Sequence, residues 1–71
     1  DGGAMGAVLN AADEVAVGGF LSGALSFNGI SDTVFAVYEK MSYAKKLNGI
    51  EDILAIDSEA RRLTENIISN R

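Results

Sequence analysis

Few side chains in this sequence could do chemistry. Asn10, Asp13 and Glu14 share one side of any helix that contains them, and such oxygen-bearing groups could hold a hard cation or work as a carboxylate pair. A carboxylic acid poised for proton transfer needs burial or a close like charge to raise its pKa, and nothing local supplies either. A solvated face, or one that docks on a neighbour, is the simpler reading. Gly2, Gly3 and Gly6 suggest a phosphate loop only superficially: the spacing is neither GxGxxG nor GxxxxGK[ST], and no strand precedes them. Tyr38 and Tyr43 could stack on a ligand. At helical spacing Tyr38 reads instead as a core residue with its hydroxyl at the surface, and Tyr43 as exposed. Met5 and Met41 read as core filler. Arg61 and Arg62 with Glu65 read as a charged outer face.

Asp57-Ser58-Glu59 bears on a different chemistry. Acyl carrier proteins are small, acidic and helical, and attach their prosthetic group to the serine of Asp-Ser-Leu at a helix start. Here Glu59 takes the place of the leucine, and Ser58 falls mid-helix, so a solvent-facing serine is the plainer reading.

The chain has 71 residues with no Cys and no His. Disulfides, zinc, haem and iron–sulfur sites are therefore excluded, as are Ser-His-Asp and Cys-His catalysis. A chain of this length has a marginal core, so its staple must be helix packing or association with another chain. Six basic and ten acidic residues give a net charge of −4, which argues against nucleic acid and against an anionic membrane surface. The longest mostly apolar stretch, Val15 to Leu25, reads as too short to span a bilayer and is interrupted by Gly18, Gly19 and Gly23. No basic segment precedes an apolar run as in a signal peptide, and a cysteine-free chain fits the cytosol.

Proline is absent and glycines punctuate three helices, expected at about residues 4–22, 29–45 and 50–69. In the first, Leu9, Ala12, Ala16 and Phe20 form an apolar stripe, with Met5 ahead of it and Val8, Ala11 and Val15 widening it. Gly23 suits the left-handed position after a helix end. Gly18 and Gly19 weaken a helix interior, and close approach of another helix is the expected compensation. In the second, Ile30, Val34, Val37, Tyr38 and Met41 make the apolar face. Either Asn28 caps it, or Ser31 does with Ile30 and Phe35 as a hydrophobic staple. Lys45 and Lys46 complement the dipole at its C-terminal end. In the third, Asn48 with Glu51 has capping-box spacing, and Glu51 and Asp52 lie in the first turn. Ile53, Ile56, Ala60, Leu63 and Ile67 form its stripe, and Asp57 pairs with Arg61 at i, i+4. No alternating run makes a strand. The expected fold is all-α, an antiparallel bundle of three helices over residues 1–71.

The residues also carry a family resemblance. Gly2 to Val17, GGAMGAVLNAADEVAV, resembles the GGTxPAVLNAANEVAV stretch of 1-deoxy-D-xylulose 5-phosphate reductoisomerases. Phe20-Leu21 with Gly23 fits the family's AFLxG, and Leu25-Ser26-Phe27 with Ile30 fits its IxFxxI. Ile50 to Asp57 with Glu59-Ala60-Arg61 resembles its LEDVLAAD…EAR. The resemblance runs in the family's order along nearly the whole chain, and the first block is its most specific part. Gly6 stands where the family usually has Pro, Asp13 replaces Asn, and Gly18 and Gly19 sit where helix formers are common.

The resemblance implies a non-catalytic C-terminal domain. The family's enzyme rearranges and reduces 1-deoxy-D-xylulose 5-phosphate to 2-C-methyl-D-erythritol 4-phosphate in non-mevalonate isoprenoid biosynthesis. It uses NADPH and a divalent cation, Mg or Mn, held in domains that precede the matched region. No catalytic, cofactor-binding or metal residue carries over. The resemblance further implies three-quarters of a four-helix bundle that buttresses the catalytic domain of the same enzyme, in a bacterial cytoplasm or a plastid. Leu9, Val15, Phe20, Val34, Val37, Ile53, Leu63 and Ile67 are the expected packing residues. The apolar surface left by a missing helix is expected to make the isolated chain self-associate as a symmetric dimer. Two alternatives stay open: a free-standing helical interaction module, and a carrier protein modified on Ser58.

Overall fold

The computed structural model describes residues 3–43 and 50–70. Among these are three helices, α1 (Gly3–Leu21), α2 (Phe27–Lys40) and α3 (Ile50–Ser69). The molecule is all-α, as expected from the sequence, and measures 35 × 21 × 16 Å.

α1 ends where the sequence predicts. Gly23 has φ 89°, Ala24 N–H donates to Gly19 O at 2.8 Å and Gly23 N–H to Phe20 O at 3.1 Å. This pair of bonds satisfies the last carbonyls of the helix, and glycine carries the left-handed residue without strain. The turn drives Leu25 back into the core, where it is buried against Gly19.

α2 begins earlier than either cap read from the sequence. Ser26 is the N-cap, its hydroxyl accepting from Gly29 N–H at 3.0 Å. Asn28 and Ser31 lie inside the helix, where Ser31 Oγ donates to Asn28 O at 3.4 Å. The staple of Ile30 and Phe35 is therefore not formed at a helix entrance. α2 also ends earlier, at Lys40, with Met41 as C-cap donating to Val37 O at 3.0 Å. Lys45 and Lys46, and the Asn48, Glu51 and Asp52 cap of α3, lie outside the residues whose side chains are described.

Consecutive helices are antiparallel, so α1 and α3 run in the same direction. Glu14 reaches Arg61, and Gly19 faces Ile68, so residue numbers rise together along the pair. α1 packs extensively on both partners, whereas α2 and α3 touch much less. The core is built from Ala4, Val8, Ala11 and Ala12 of α1, Val37 and Met41 around the end of α2, and Ile56 and Ala60 of α3. Four of the five buried α1 residues are alanines, which lets the helices approach closely.

This places the α1 stripe about one residue's rotation from the expected one. Ala4, Val8, Ala11, Ala12 and Ala16 are buried, but Leu9 is 42% and Phe20 39% exposed. Those two expected packing residues are corrected: they flank the core instead of forming it. Val37 is buried, and Val34, Leu63 and Ile67 pack against the core from partly buried positions. Gly19 has the close neighbours expected of it, since a Cβ there would meet Ile68 Cδ1 at 3.2 Å and Leu25 Cδ1 at 3.4 Å. Gly18 has none within 4 Å, so close approach does not explain it.

The apolar stretch is longer than Val15 to Leu25. α1, of 19 residues, is long and apolar enough by length and composition to cross a membrane. In this fold its Ala/Val face packs on α2 and α3, while Leu9, Val17, Phe20 and Leu21 stay exposed.

Candidate docking surface

The residues singled out for chemistry do not converge. Asn10, Asp13 and Glu14 are all exposed on α1, and Ser58 is exposed within α3. Among the described residues no three Asp or Glu side chains group to hold a metal ion, so they do not fit the divalent cation that the resemblance implies for the parent enzyme. Tyr43 is exposed and Tyr38 half-buried.

The charged groups form ion pairs. Arg61 Nε donates to Asp57 Oδ2 at 3.0 Å, the expected i, i+4 pair, and its other arm crosses to Glu14 Oε1 of α1 at 2.6 Å. Hydrogen bonds from Arg61 first to Asp57 and then to Glu14 raise the guanidinium's pKa further. Arg62 makes a two-pronged contact with Glu59, at 3.0 and 2.6 Å. That bond holds the Glu59 carboxyl below its usual pKa. Glu14 therefore belongs to the strap that ties α1 to α3, a partner invisible to local spacing.

The outstanding surface feature is apolar. On the α1–α2 side, Leu9 and Asp13 with Ile30, Ser31, Val34, Phe35 and Tyr38 line an open groove of about 390 Å³. Phe35 is 65% exposed. The apolar face continues to the far end of the helix pair. Phe20 and Phe27 meet edge to face there, with ring centroids 5.9 Å apart, and Phe27 is 73% exposed. Helical spacing sets this up: Ile30, Val34 and Tyr38 follow i, i+4, i+8, while Val37 and Met41 point to the core. Contiguous exposed apolar surface of this kind marks an interaction site. The sequence signal was present in Phe27 and Phe35, two large apolar residues off the core stripe.

A second groove lies at the C-terminal ends of α1 and α3, lined by Val15, Gly18, Glu65, Ile68 and Ser69 among others. The missing side chain of Gly18 opens its floor, and its lining is mixed.

Comparison with known proteins gives one consistent answer. The model of the DXP reductoisomerase C-terminal domain matches residues 1–63. The 1-deoxy-D-xylulose 5-phosphate reductoisomerase of Burkholderia lata is 46% identical over 69 residues, covering 97% of this chain. That of Burkholderia multivorans is 45% identical over 69 residues, also covering 97% of this chain. The protein of the same name from Thermodesulfovibrio yellowstonii is 46% identical over 70 residues, covering 94% of this chain. The chain spans 17% of the length of each of these relatives. No solved structure matches the chain.

Proposed function

The chain belongs to the family of DXP reductoisomerase C-terminal domains, and from that premise we propose that it is a non-catalytic support for the catalytic part of such an enzyme. The proposed parent enzyme converts 1-deoxy-D-xylulose 5-phosphate to 2-C-methyl-D-erythritol 4-phosphate in isoprenoid biosynthesis, in the bacterial cytoplasm. Its NADPH and divalent cation belong to other parts of that polypeptide. Residues 1–71 act as one helical unit, three-quarters of a four-helix bundle. The observation that carries this reading is the open α1–α2 face on a chain that matches the family along nearly its whole length. A support domain needs an apolar contact surface and no reactive group. When the face is not covered, the isolated chain pairs weakly with a second copy through it.

The experiment is an exchange. The matching segment of the Burkholderia lata enzyme is either deleted or replaced by this chain. Deletion is expected to leave an unstable protein, and replacement to restore a folded enzyme whose turnover per folded molecule equals the parent's. A deletion variant as stable and active as the parent would contradict a supporting role.

A further inference from the structure

The sequence holds two Asn-Gly pairs, Asn28-Gly29 and Asn48-Gly49, and the second lies outside the described residues. Asn-Gly is the dipeptide most prone to deamidation, because glycine has no side chain to hinder attack of its backbone nitrogen on the asparagine amide. The family pattern IxFxxI does not call for it, since residues 28 and 29 fall on its two unspecified positions. The fold places the first pair where its two halves are treated differently. Asn28 is exposed at the second residue of α2, while Gly29 is buried. Gly29 N–H donates to both the hydroxyl and the carbonyl of Ser26, each at 3.0 Å. That nitrogen is the nucleophile of deamidation. Attack requires its proton to leave and ψ at Asn28 to swing out of the helical range, and the closed first turn of α2 prevents both. The restraint is thin. The turn has no acidic residue, it contains a glycine, and Phe27 at its start is 73% exposed, which leaves the Ser26 cap as the main local hold.

We propose that Asn28-Gly29 is a latent self-modification site, held closed by the Ser26 cap and opened by local fraying of α2. In the open turn the Gly29 nitrogen loses its proton to solvent and bonds to Asn28 Cγ. The Cγ–Nδ2 bond breaks and ammonia leaves, giving a cyclic imide. Water then opens the ring at either carbonyl, so one water is consumed for each ammonia released and nothing is oxidised or reduced. One product is aspartate at residue 28. The other is isoaspartate, whose main chain runs through the side-chain carbons. The two have opposite consequences. Aspartate puts negative charge in the first turn, where the helix dipole favours it. Isoaspartate lengthens the backbone by one carbon between Ser26 and Gly29, so the cap no longer closes in register. Either product adds one negative charge to the net −4 of the chain, irreversibly. The site thus accumulates a record of the time that α2 spends frayed. It works in the same way whether or not the chain supports a catalytic domain.

The 71-residue chain is incubated at mildly alkaline pH, in buffer and in concentrated urea. Tandem mass spectrometry follows the exchange of NH2 for OH at residue 28, apart from residue 48. Isoaspartate is counted with an isoaspartate-specific methyltransferase and labelled S-adenosylmethionine. Residue 28 is expected to deamidate at least roughly tenfold more slowly in buffer than in urea. Ser26→Ala should raise the rate in buffer about fivefold, the typical effect of losing a cap, and leave the rate in urea unchanged. Ser26→Thr keeps an acceptor hydroxyl and should stay within about twofold of the parent. Ile56→Val, a comparable loss of stability in the α3 part of the core, should leave the rate at residue 28 unchanged. Equal rates in buffer and urea overturn the proposal, as does a Ser26→Ala rate equal to the parent's. Acceleration by Ile56→Val that matches Ser26→Ala also overturns it, because the protection would then come from global stability. In aged material separated by chromatography, the isoaspartate form should melt below the Asn28→Asp variant. Equal melting of the two would contradict loss of the cap.

Discussion

The inner and outer faces of α1 carry opposite kinds of apolar residue. The inner face is Ala4, Val8, Ala11, Ala12 and Ala16, all buried. The outer face, toward α2 and solvent, holds Leu9, Val17, Phe20 and Leu21, all exposed. A helix that closed its own domain would bury the large residues, because burial of a leucine or phenylalanine side chain stabilises by about 1.5–3 kcal/mol. Here small residues bring α3 and α2 close, and the large ones face outward with Phe27 and Phe35 of α2. The difference teaches that this sequence divides its apolar surface between closing a thin core and leaving a large face exposed, the face that the support-domain proposal assigns to a partner.

The sharpest way to break this comparison is to truncate one residue from each region. Met41→Ala removes a side chain that is 1% exposed and should cost about 2–5 kcal/mol, enough to unfold a chain of this size. Phe35→Ala removes one that is 65% exposed and should cost less than about 0.5 kcal/mol. Chemical denaturation of both variants decides it, and equal costs would erase the distinction. Next in size is overpacking of the thin seam. Ala11→Leu should destabilise by about 1–3 kcal/mol, since Ala11 is fully buried. A neutral Ala11→Leu would mean that the α1 interface is loose.

A smaller effect of opposite sign is expected at Thr33. Its Oγ1 is buried without a hydrogen-bond partner, whereas the hydroxyl of the buried Thr64 donates to Ala60 O at 2.6 Å. Thr33→Val should therefore raise stability by about 1 kcal/mol, or about 4–8 °C in Tm for a domain of this length. A lower Tm would show that the hydroxyl is satisfied. Gly18 and Gly19 repeat the comparison at adjacent positions. Gly18→Ala meets nothing within 4 Å and should gain up to about 1 kcal/mol from helix propensity. Gly19→Ala brings its methyl against Ile68 at 3.2 Å and should gain less or lose. Thermal melts rank the pair.

The smallest effect is electrostatic. The hydrogen bond from Arg62 lowers the folded-state pKa of Glu59, so this pair's contribution is present above the ordinary carboxylate pKa and fades as pH falls through the lowered one. Carbon-detected NMR should show Glu59 titrating below a free glutamate, and Arg62→Gln should return it to the ordinary range.

Much of the fold was legible in the sequence, and its failures have physical causes. α3 runs over residues 50–69 as periodicity indicates, and α1 is within a residue of expectation, because Gly23 stops the chain in a conformation only glycine adopts cheaply. α2 was displaced at both ends. Its first residue, Phe27, keeps the i, i+3, i+7 register of Ile30 and Val34 but is exposed, and the Asn28-Gly29 pair that follows it reads as a turn before the helix. The α1 stripe was misplaced because size was read as burial: Leu9 and Phe20 look like core anchors until the alanines show where the partner helices lie. The place of the exposed apolar face was not legible, since Leu9 and Phe35 line one groove, and Phe20 meets Phe27, only through the turn between α1 and α2. The Glu14–Arg61 strap was illegible for the same reason, as its partners are remote in sequence.

The most direct measurement is the thermal unfolding of one variant, Phe35→Ser, in two settings: the isolated chain in dilute solution, and the chain grafted into the Burkholderia lata enzyme. The α1–α2 face as a docking surface predicts an unchanged Tm in isolation and a clearly lowered Tm in the graft. A graft that melts with its unsubstituted counterpart would contradict it.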